Sequence, residues 1–316
     1  MLKLKALLLT QGMHGMISQV EGLAKALGLS FRHETIELNK FWDFFPPKFT
    51  PIFDGILKKK FVCDSRVIIS CGRKSVVPSI LLKKRFQKEV FNIHIQDPKV
   101  DIKNFDSIIC PEHDSLNGDN VVKTKGAIHY LTNAEISKNI NYLKPNHGDK
   151  KIVTFIMGGP NKYYSFSESQ MDKIFAKIKN MFISSKYKLI VIPSYRTPDN
   201  ILKLAFNYFN QDHLVVKERD KKAYLSSLGL ANIIIVTCDS TSMISEAAIT
   251  GKPVYVVKMS HKKSIHRFEK FYKLFKDLGI IRDLDDKIEH WTYNGLDEVN
   301  HAASIVKEKM KKNGIV

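Results

Sequence analysis

Residues 233–257 read Ile233-Ile-Ile-Val-Thr-Cys-Asp-Ser-Thr-Ser-Met-Ile-Ser-Glu-Ala-Ala-Ile-Thr-Gly-Lys-Pro-Val-Tyr-Val-Val257. An uninterrupted β-branched run ends at Thr237, a cluster of Asp and hydroxyl residues follows, and an amphipathic stretch then runs to Gly251. Gly after the last helical turn and Lys252-Pro253 before the next apolar run mark a helix stop and a new strand. Strands that read as continuous Val and Ile, not as an alternation, are those covered on both faces of a parallel sheet. This β-turn-α-β segment therefore predicts a doubly wound α/β sheet.

The same rhythm extends outward. Strands are expected at 5–10, 67–70, 90–95, 107–110, 152–157, 188–193, 214–216, 233–237 and 253–258. Helical patterns fall at 17–27, 78–86, 133–143, 168–182, 199–209, 221–228 and 242–250, with two more at 266–278 and 297–311. A chain of 316 residues exceeds the size of one usual core. The polar stretch Leu143-Lys-Pro-Asn-His-Gly-Asp-Lys-Lys151 lies between two strong strands and reads as a linker. It divides the chain into Rossmann-like domains at 1–146 and 147–316.

Apolar residues make up 44% and charged residues 26%, the balance of an ordinary globular protein. No apolar run reaches the ~18–20 residues of a membrane span, and the apolar start reads as a first strand, not a secretory leader. The four cysteines form no C-x-x-C pair and no zinc spacing. A reducing cytoplasm is expected, with no metal and no tightly held cofactor. Lys and Arg exceed Asp and Glu by 50 to 32, a net charge of +18. That excess fits an anionic partner such as a membrane surface or a phosphorylated ligand, or a lysine-biased surface. Helix-turn-helix, zinc-finger and ribonucleoprotein signatures are missing, so nucleic acid is not expected.

The chemistry is expected where strands end. A helix N-terminus offers free N–H groups and positive potential to a phosphate. Asp239, Ser240, Thr241, Ser242 and Met243 line the one after Thr237, and Glu246, a turn below Ser242, suits a ribose diol. Capping alone explains one such residue. Met157-Gly158-Gly159-Pro160 lets backbone approach a ligand, or forms a plain turn. In Ile192-Pro-Ser-Tyr-Arg-Thr-Pro198, Ser194, Arg196 and Thr197 can meet a diphosphate, or Arg196 is a loop residue paired with a surface carboxylate. In the first half, His14, Asp97, His113 and Asp114 each follow a strand and are candidates for a general base. Arg73, after Ser70-Cys-Gly72, is a further anion contact.

The ordered motifs Gly15…Gln19…Gly22-Leu-Ala24, Ser70…Gly72-Arg73, Gln96-Asp97-Pro98, Pro111…His113-Asp114, Gly158-Gly159-Pro160, Ser194…Arg196-Thr197-Pro198 and Thr237…Asp239-Ser-Thr-Ser-Met243…Ser245-Glu246-Ala247 go further. With Arg267-Phe…Phe271-Tyr272…Leu278-Gly279…Arg282 and Trp291…Tyr293, they resemble the mitochondrial fission factor family named for the plant "elongated mitochondria" phenotype, from about Leu9 to Lys309. The resemblance implies a GT-B-like fold: two Rossmann-like domains facing across a cleft, acceptor side first and donor side second, with the last helices crossing back. It makes Asp239–Glu246 similar to the nucleotide-sugar element of GT-B glycosyltransferases and UDP-sugar 2-epimerases. The implied function is a nucleotide-sugar-dependent glycosyltransferase; the net positive charge, and that alone, adds the expectation of a cell-envelope glycolipid or other anionic acceptor and a peripheral place at the inner membrane face. The alternatives are a non-catalytic adaptor, as in the plant members linked to recruiting a dynamin-like protein, or an epimerase. The family's first turn often begins with Asp and has His after the Gly; here Gln11 and Met16 stand there, so if that turn supplies the family's base, this chain uses another group, such as His14, or lacks the activity.

Overall fold

The computed structural model describes residues 3–285 and 287–316. Strands β1 (Lys3–Thr10), β2 (Phe31–Thr35), β3 (Ser65–Cys71), β4 (Phe91–Ile95), β5 (Ser107–Pro111) and β6 (Val121–Thr124) form one parallel sheet in the order β2-β1-β3-β4-β5-β6. Helices α1 (His14–Ala26), α2 (Lys40–Asp43) and α3 (Arg73–Phe86) connect its first strands. Successive side chains of β1 point to opposite faces. Ala6 and Leu8 pack with Val20, Leu23 and Ala24 of α1, while Leu7 and Leu9 pack with Ile36, Leu38, Ile56 and Val77. Both faces are buried, which is why the strand reads as a continuous apolar run.

The second sheet is also wholly parallel. It contains β7 (Lys151–Met157), β8 (Tyr187–Pro193), β9 (Leu214–Val215), β10 (Ile233–Thr237), β11 (Val254–Val257) and β12 (Ile281–Asp283), in the order β12-β11-β10-β7-β8-β9. Its helices are α4 (Asn133–Asn139), α5 (Glu168–Met181), α6 (Asp199–Phe209), α7 (Lys221–Leu230), α8 (Thr241–Ala248) and α9 (His266–Asp277). The last helix, α10 (Glu298–Lys312), returns to the first sheet. Its Val299, Ala302, Ala303, Val306 and Met310, at helical spacing, fill the face already covered by α1.

Two compact units result: the chain up to Tyr130 together with Asp297–Val316, and Leu131–Leu296. The division falls twelve residues before the polar 143–151 stretch. The reason lies in α4, which packs on α7: a Cβ on Gly229 would stand 3.1 Å from Ile140 and 3.2 Å from Ile136. The hydroxyl of Ser226 also donates to the Ile140 carbonyl at 2.8 Å and accepts from the Leu143 N–H at 3.0 Å.

Candidate functional site

In the second sheet the chain runs β7, β8, β9 to one side and then returns to place β10 on the other side of β7. The carboxyl ends of β7 and β10 therefore flank the topological switch point, where open α/β sheets hold ligands. Both ends, and the loop after β8, are tied together there. Thr237 Oγ1 accepts from the Gly158 N–H at 2.8 Å and donates to Asp239 Oδ1 at 2.6 Å. Asp239 Oδ2 accepts from the Gly159 N–H at 3.2 Å and from Arg196 Nη2 at 2.7 Å, and Arg196 Nη1 donates to the Gly159 carbonyl at 2.8 Å. The Thr197 hydroxyl lies 2.9 Å from the Met157 carbonyl and 2.7 Å from that of Gly158, and accepts from the Ser194 N–H at 2.8 Å. Ser194 Oγ in turn accepts from the Arg196 N–H at 3.2 Å.

The carboxylate expected at a ligand, Asp239, is thus fully buried and occupied by protein donors. Burial pushes its carboxyl up, and the Arg196 guanidinium, the Thr237 hydroxyl and the Gly159 N–H pull it back. Asp239 and Arg196 account for the paired glycines: a Cβ on Gly158 would lie 2.1 Å from Asp239 Oδ1, and one on Gly159 would lie 1.9 Å from the Arg196 carbonyl. Arg196 keeps a side-chain exposure of 36%, so one edge of its fork is held by Asp239 and Gly159 while the rest faces outward.

Helix α8 opens directly after this knot. Ser240 caps it, accepting from the Met243 N–H at 3.3 Å. Ser240, Thr241, Ser242 and Met243 are all half-buried, and the first-turn N–H groups of Thr241 and Ser242 have no helical carbonyl to meet. One turn further, Glu246 is 8% exposed and accepts from the Tyr224 hydroxyl of α7 at 2.8 Å. Burial pushes its carboxyl up to about 7, with the Tyr224 bond opposing. Tyr272 of α9 donates to the Cys238 carbonyl and lies 3.0 Å from the Tyr164 hydroxyl. The sequence does not single out Tyr224, which sits inside an ordinary amphipathic pattern, or Thr237 as the hub of the loop; Thr237 is legible there as the end of a strand and the first residue of a family motif.

In the first sheet the switch point lies between β1 and β3. Gly12, at φ +79°, turns the chain into α1, whose first residue is His14, exposed and edge-on to Tyr130 at 6.2 Å. Gln11 and Met16 meet over the next strand end: Gln11 Nε2 is 3.8 Å from Met16 Sδ, and a Cβ on Gly72 would strike both. Asp97, after β4, accepts from the N–H of Lys99 at 2.9 Å and from its ammonium at 2.5 Å. His113 and Asp114, after β5, are brought together at 3.8 Å and are buried. Arg73, expected as an anion contact, instead holds Asp43 and the Phe45 carbonyl at 2.9 and 2.8 Å. Among the described residues no group of His, Cys, Asp and Glu is placed to hold a metal ion.

The family model described as Mitochondrial fission ELM1 matches residues 14–310. The chain belongs to the mitochondrial fission ELM1 family. The mitochondrial fission protein ELM1 of Arabidopsis thaliana is 25% identical over 278 residues, covering 78% of this chain and 64% of that protein. This ELM1-family chain thus spans less than two thirds of its plant relative. An uncharacterised Rickettsia prowazekii protein, RP120, is also 25% identical, over 286 residues, with 78% and 80% covered. Among solved structures, a Staphylococcus aureus MnaA–UDP complex matches with a TM-score of 0.54 at 13% identity over 99% of this chain and 98% of that one. Acinetobacter baumannii MurG gives 0.54 at 8%, covering 99% and 94%. A Methanocaldococcus jannaschii UDP-GlcNAc 2-epimerase with UDP-GlcNAc and UDP gives 0.53 at 10%, covering 98% and 100%. At such identities the likeness concerns the fold, which is GT-B-like: two parallel six-stranded α/β sheets. Among the described residues, no helix is long and apolar enough to cross a membrane.

Proposed function

We propose that this ELM1-family chain is a nucleotide-sugar-dependent glycosyltransferase of GT-B type whose second domain holds the donor. The observation that carries the reading is Glu246: a carboxyl pushed up to about 7 by burial, on the helix whose N-terminus opens at the switch point of the second sheet. Glu246 takes the ribose diol. The hydroxyls of Ser240, Thr241 and Ser242 and the first-turn N–H groups take the diphosphate. Arg196, held in place by Asp239, adds its outward edge, so Asp239 and Gly158–Gly159 position the contact and do not make it. As the sugar leaves, the positive end of α8 and Arg196 stabilise the charge on the departing diphosphate. Two of the fold relatives are described with UDP or UDP-GlcNAc, which supports that class of donor. The acceptor proton needs a base, and of His14, Asp97, His113 and Asp114 the exposed one is His14. The net charge of +18 supports an anionic glycolipid acceptor at a membrane surface.

The test is a thermal-shift screen with UDP-, GDP-, ADP- and CMP-sugars and the free nucleotides, repeated on Glu246→Gln. A ligand at about 100 times its Kd adds about 2.7 kcal/mol of stability. A shift with one nucleotide class, lost in the variant, is the expected result. No shift with any of them would refute the donor site and favour the adaptor reading. Interconversion of a UDP-sugar without transfer would favour the epimerase.

A further inference from the structure

All four phenylalanines exposed among the described residues lie in one short stretch of the first domain: Phe41, Phe44, Phe49 and Phe53, at 63%, 89%, 66% and 46%. Ile52 and Val62 are exposed beside them. The stretch, residues 40–62, is Lys-Phe-Trp-Asp-Phe-Phe-Pro-Pro-Lys-Phe-Thr-Pro-Ile-Phe-Asp-Gly-Ile-Leu-Lys-Lys-Lys-Phe-Val. It is anchored, not loose. Ile56 is fully buried in the sheet face beneath, with Trp42, Leu57 and Phe61 packed against that core. Trp42 lies edge-on to Phe41 at 4.8 Å and to Phe53 at 6.2 Å, and Phe45 closes the group at 5.1 Å from Phe41. The rings form a fixed apolar projection, because Pro46-Pro47 and a short 3-10 turn over Pro47–Phe49 hold the tip.

The charge of this stretch is predominantly positive. The stretch carries five lysines, all exposed, against two aspartates. Both aspartates are neutralised from outside it, Asp43 by Arg73 and Lys74 and Asp54 by Arg85. Lys58 pairs with Glu37, while Lys40, Lys48, Lys59 and Lys60 have no ion pair among the described residues. A groove beside this stretch is lined by Pro47, Lys48, Thr50, Ile52, Val77 and Asp101, and by Lys99, whose ammonium is held by Asp97.

We propose that residues 40–62 dock this chain on an anionic lipid bilayer, with Phe44 and Phe49 entering the headgroup region and Lys40, Lys48, Lys59 and Lys60 contacting lipid phosphates. Rings this exposed have nothing to bury them in water, whereas a bilayer interface accepts both their apolar bodies and the surrounding ammonium groups. A protein interface fits less well, since lysine is depleted from such interfaces. The docking is separate from the donor site, so it survives if the nucleotide reading fails.

The test is flotation of the full chain with vesicles of phosphatidylcholine and phosphatidylglycerol in equal parts, and with pure phosphatidylcholine. The expected result is binding to the mixed vesicles that weakens with salt, with little on the neutral ones. Phe44→Ser with Phe49→Ser should cut binding by roughly tenfold or more without lowering the Tm or the nucleotide shift. Lys59→Glu with Lys60→Glu should lower the salt-sensitive part alone. A blue shift of Trp42 fluorescence on mixed vesicles, read in a Trp291→Phe background, reports the insertion directly. Undiminished binding by the phenylalanine variant, equal binding to neutral vesicles, or no binding to either would overturn the proposal.

Discussion

Replacing Glu246 by Gln tests the donor site and its energetic consequence together. Glutamine keeps the shape and still accepts from the Tyr224 hydroxyl, but carries no charge to desolvate. In the folded chain the carboxyl releases its proton at about 7, against 4.5 in the unfolded chain. Between those values the native state binds more protons than the unfolded one, so stability falls as pH rises. At 1.36 kcal/mol per unit, the wild type loses about 3 kcal/mol from this group, none of it below the unfolded value and all of it above the folded one. Glu246→Gln has no such loss. Its stability relative to wild type should start near zero at acid pH and climb to about 3 kcal/mol by about pH 8. Urea unfolding of both proteins across that range gives the difference directly, because every other titrating group cancels. A difference that stays flat with pH, or a wild type more stable than the variant at alkaline pH, would refute the reasoning. Stabilisation combined with loss of the nucleotide shift is the signature of a residue kept for binding and not for folding.

The remaining predictions concern the supporting network and the base. Arg196→Ala strands the buried Asp239 charge and should destabilise by roughly 3 kcal/mol, most of which Asp239→Asn added in the same chain should restore; strictly additive losses in the denaturation cycle would show the pair is uncoupled. Gly158→Ala should destabilise by about 2–3 kcal/mol, since its Cβ would lie 2.1 Å from Asp239 Oδ1, whereas Gly15→Ala, with nothing within 4 Å, should be neutral or slightly stabilising by thermal melt. His14→Ala should lower sugar transfer by roughly a hundredfold or more while leaving the nucleotide-induced melting shift intact, and unchanged transfer would remove His14 as the base.

The central strands were legible because both their faces are buried, so their residues read as unbroken Val, Ile and Leu. The three strands not expected are β2, β6 and β12, all at or near the polar limits of a sheet. Phe31-Arg-His-Glu-Thr35 and Ile281-Arg-Asp283 are too short or too charged to stand out, and each gains its identity only by pairing with a neighbour already in place. Helix α3 starts at Arg73, five residues before Pro78, because Gly72 at φ +92° turns the chain directly from β3 into the helix. Proline marked the wrong end of that turn. At the donor site, each loop was legible separately. That Arg196 would spend one edge on a carboxylate 43 positions away was not, since nothing in local spacing brings the ends of β7, β8 and β10 together. Gln11 and Met16 read as separate departures from the family turn, yet in three dimensions they are one contact over Gly72.

The parts of the donor loop do not carry equal weight for function. Asp239, Thr237, Gly158, Gly159 and Thr197 have a complete structural explanation: they fasten three strand ends, and a protein with no ligand would need them as much as an enzyme does. Glu246 has no such explanation. Its carboxyl has one side-chain donor, Tyr224, against nearly full burial, and the balance leaves it harder to ionise than in water. An adaptor that only presents a surface gains nothing from a buried, ionisable group behind the first turn of α8, where a leucine or glutamine would fold better. A ligand with a vicinal diol changes that balance, because two hydroxyl donors arriving at the carboxylate replace the water that folding removed. On this argument nucleotide binding is coupled to ionisation of Glu246, so the melting shift should grow as pH rises through about 7, the opposite trend to the stability of the free protein.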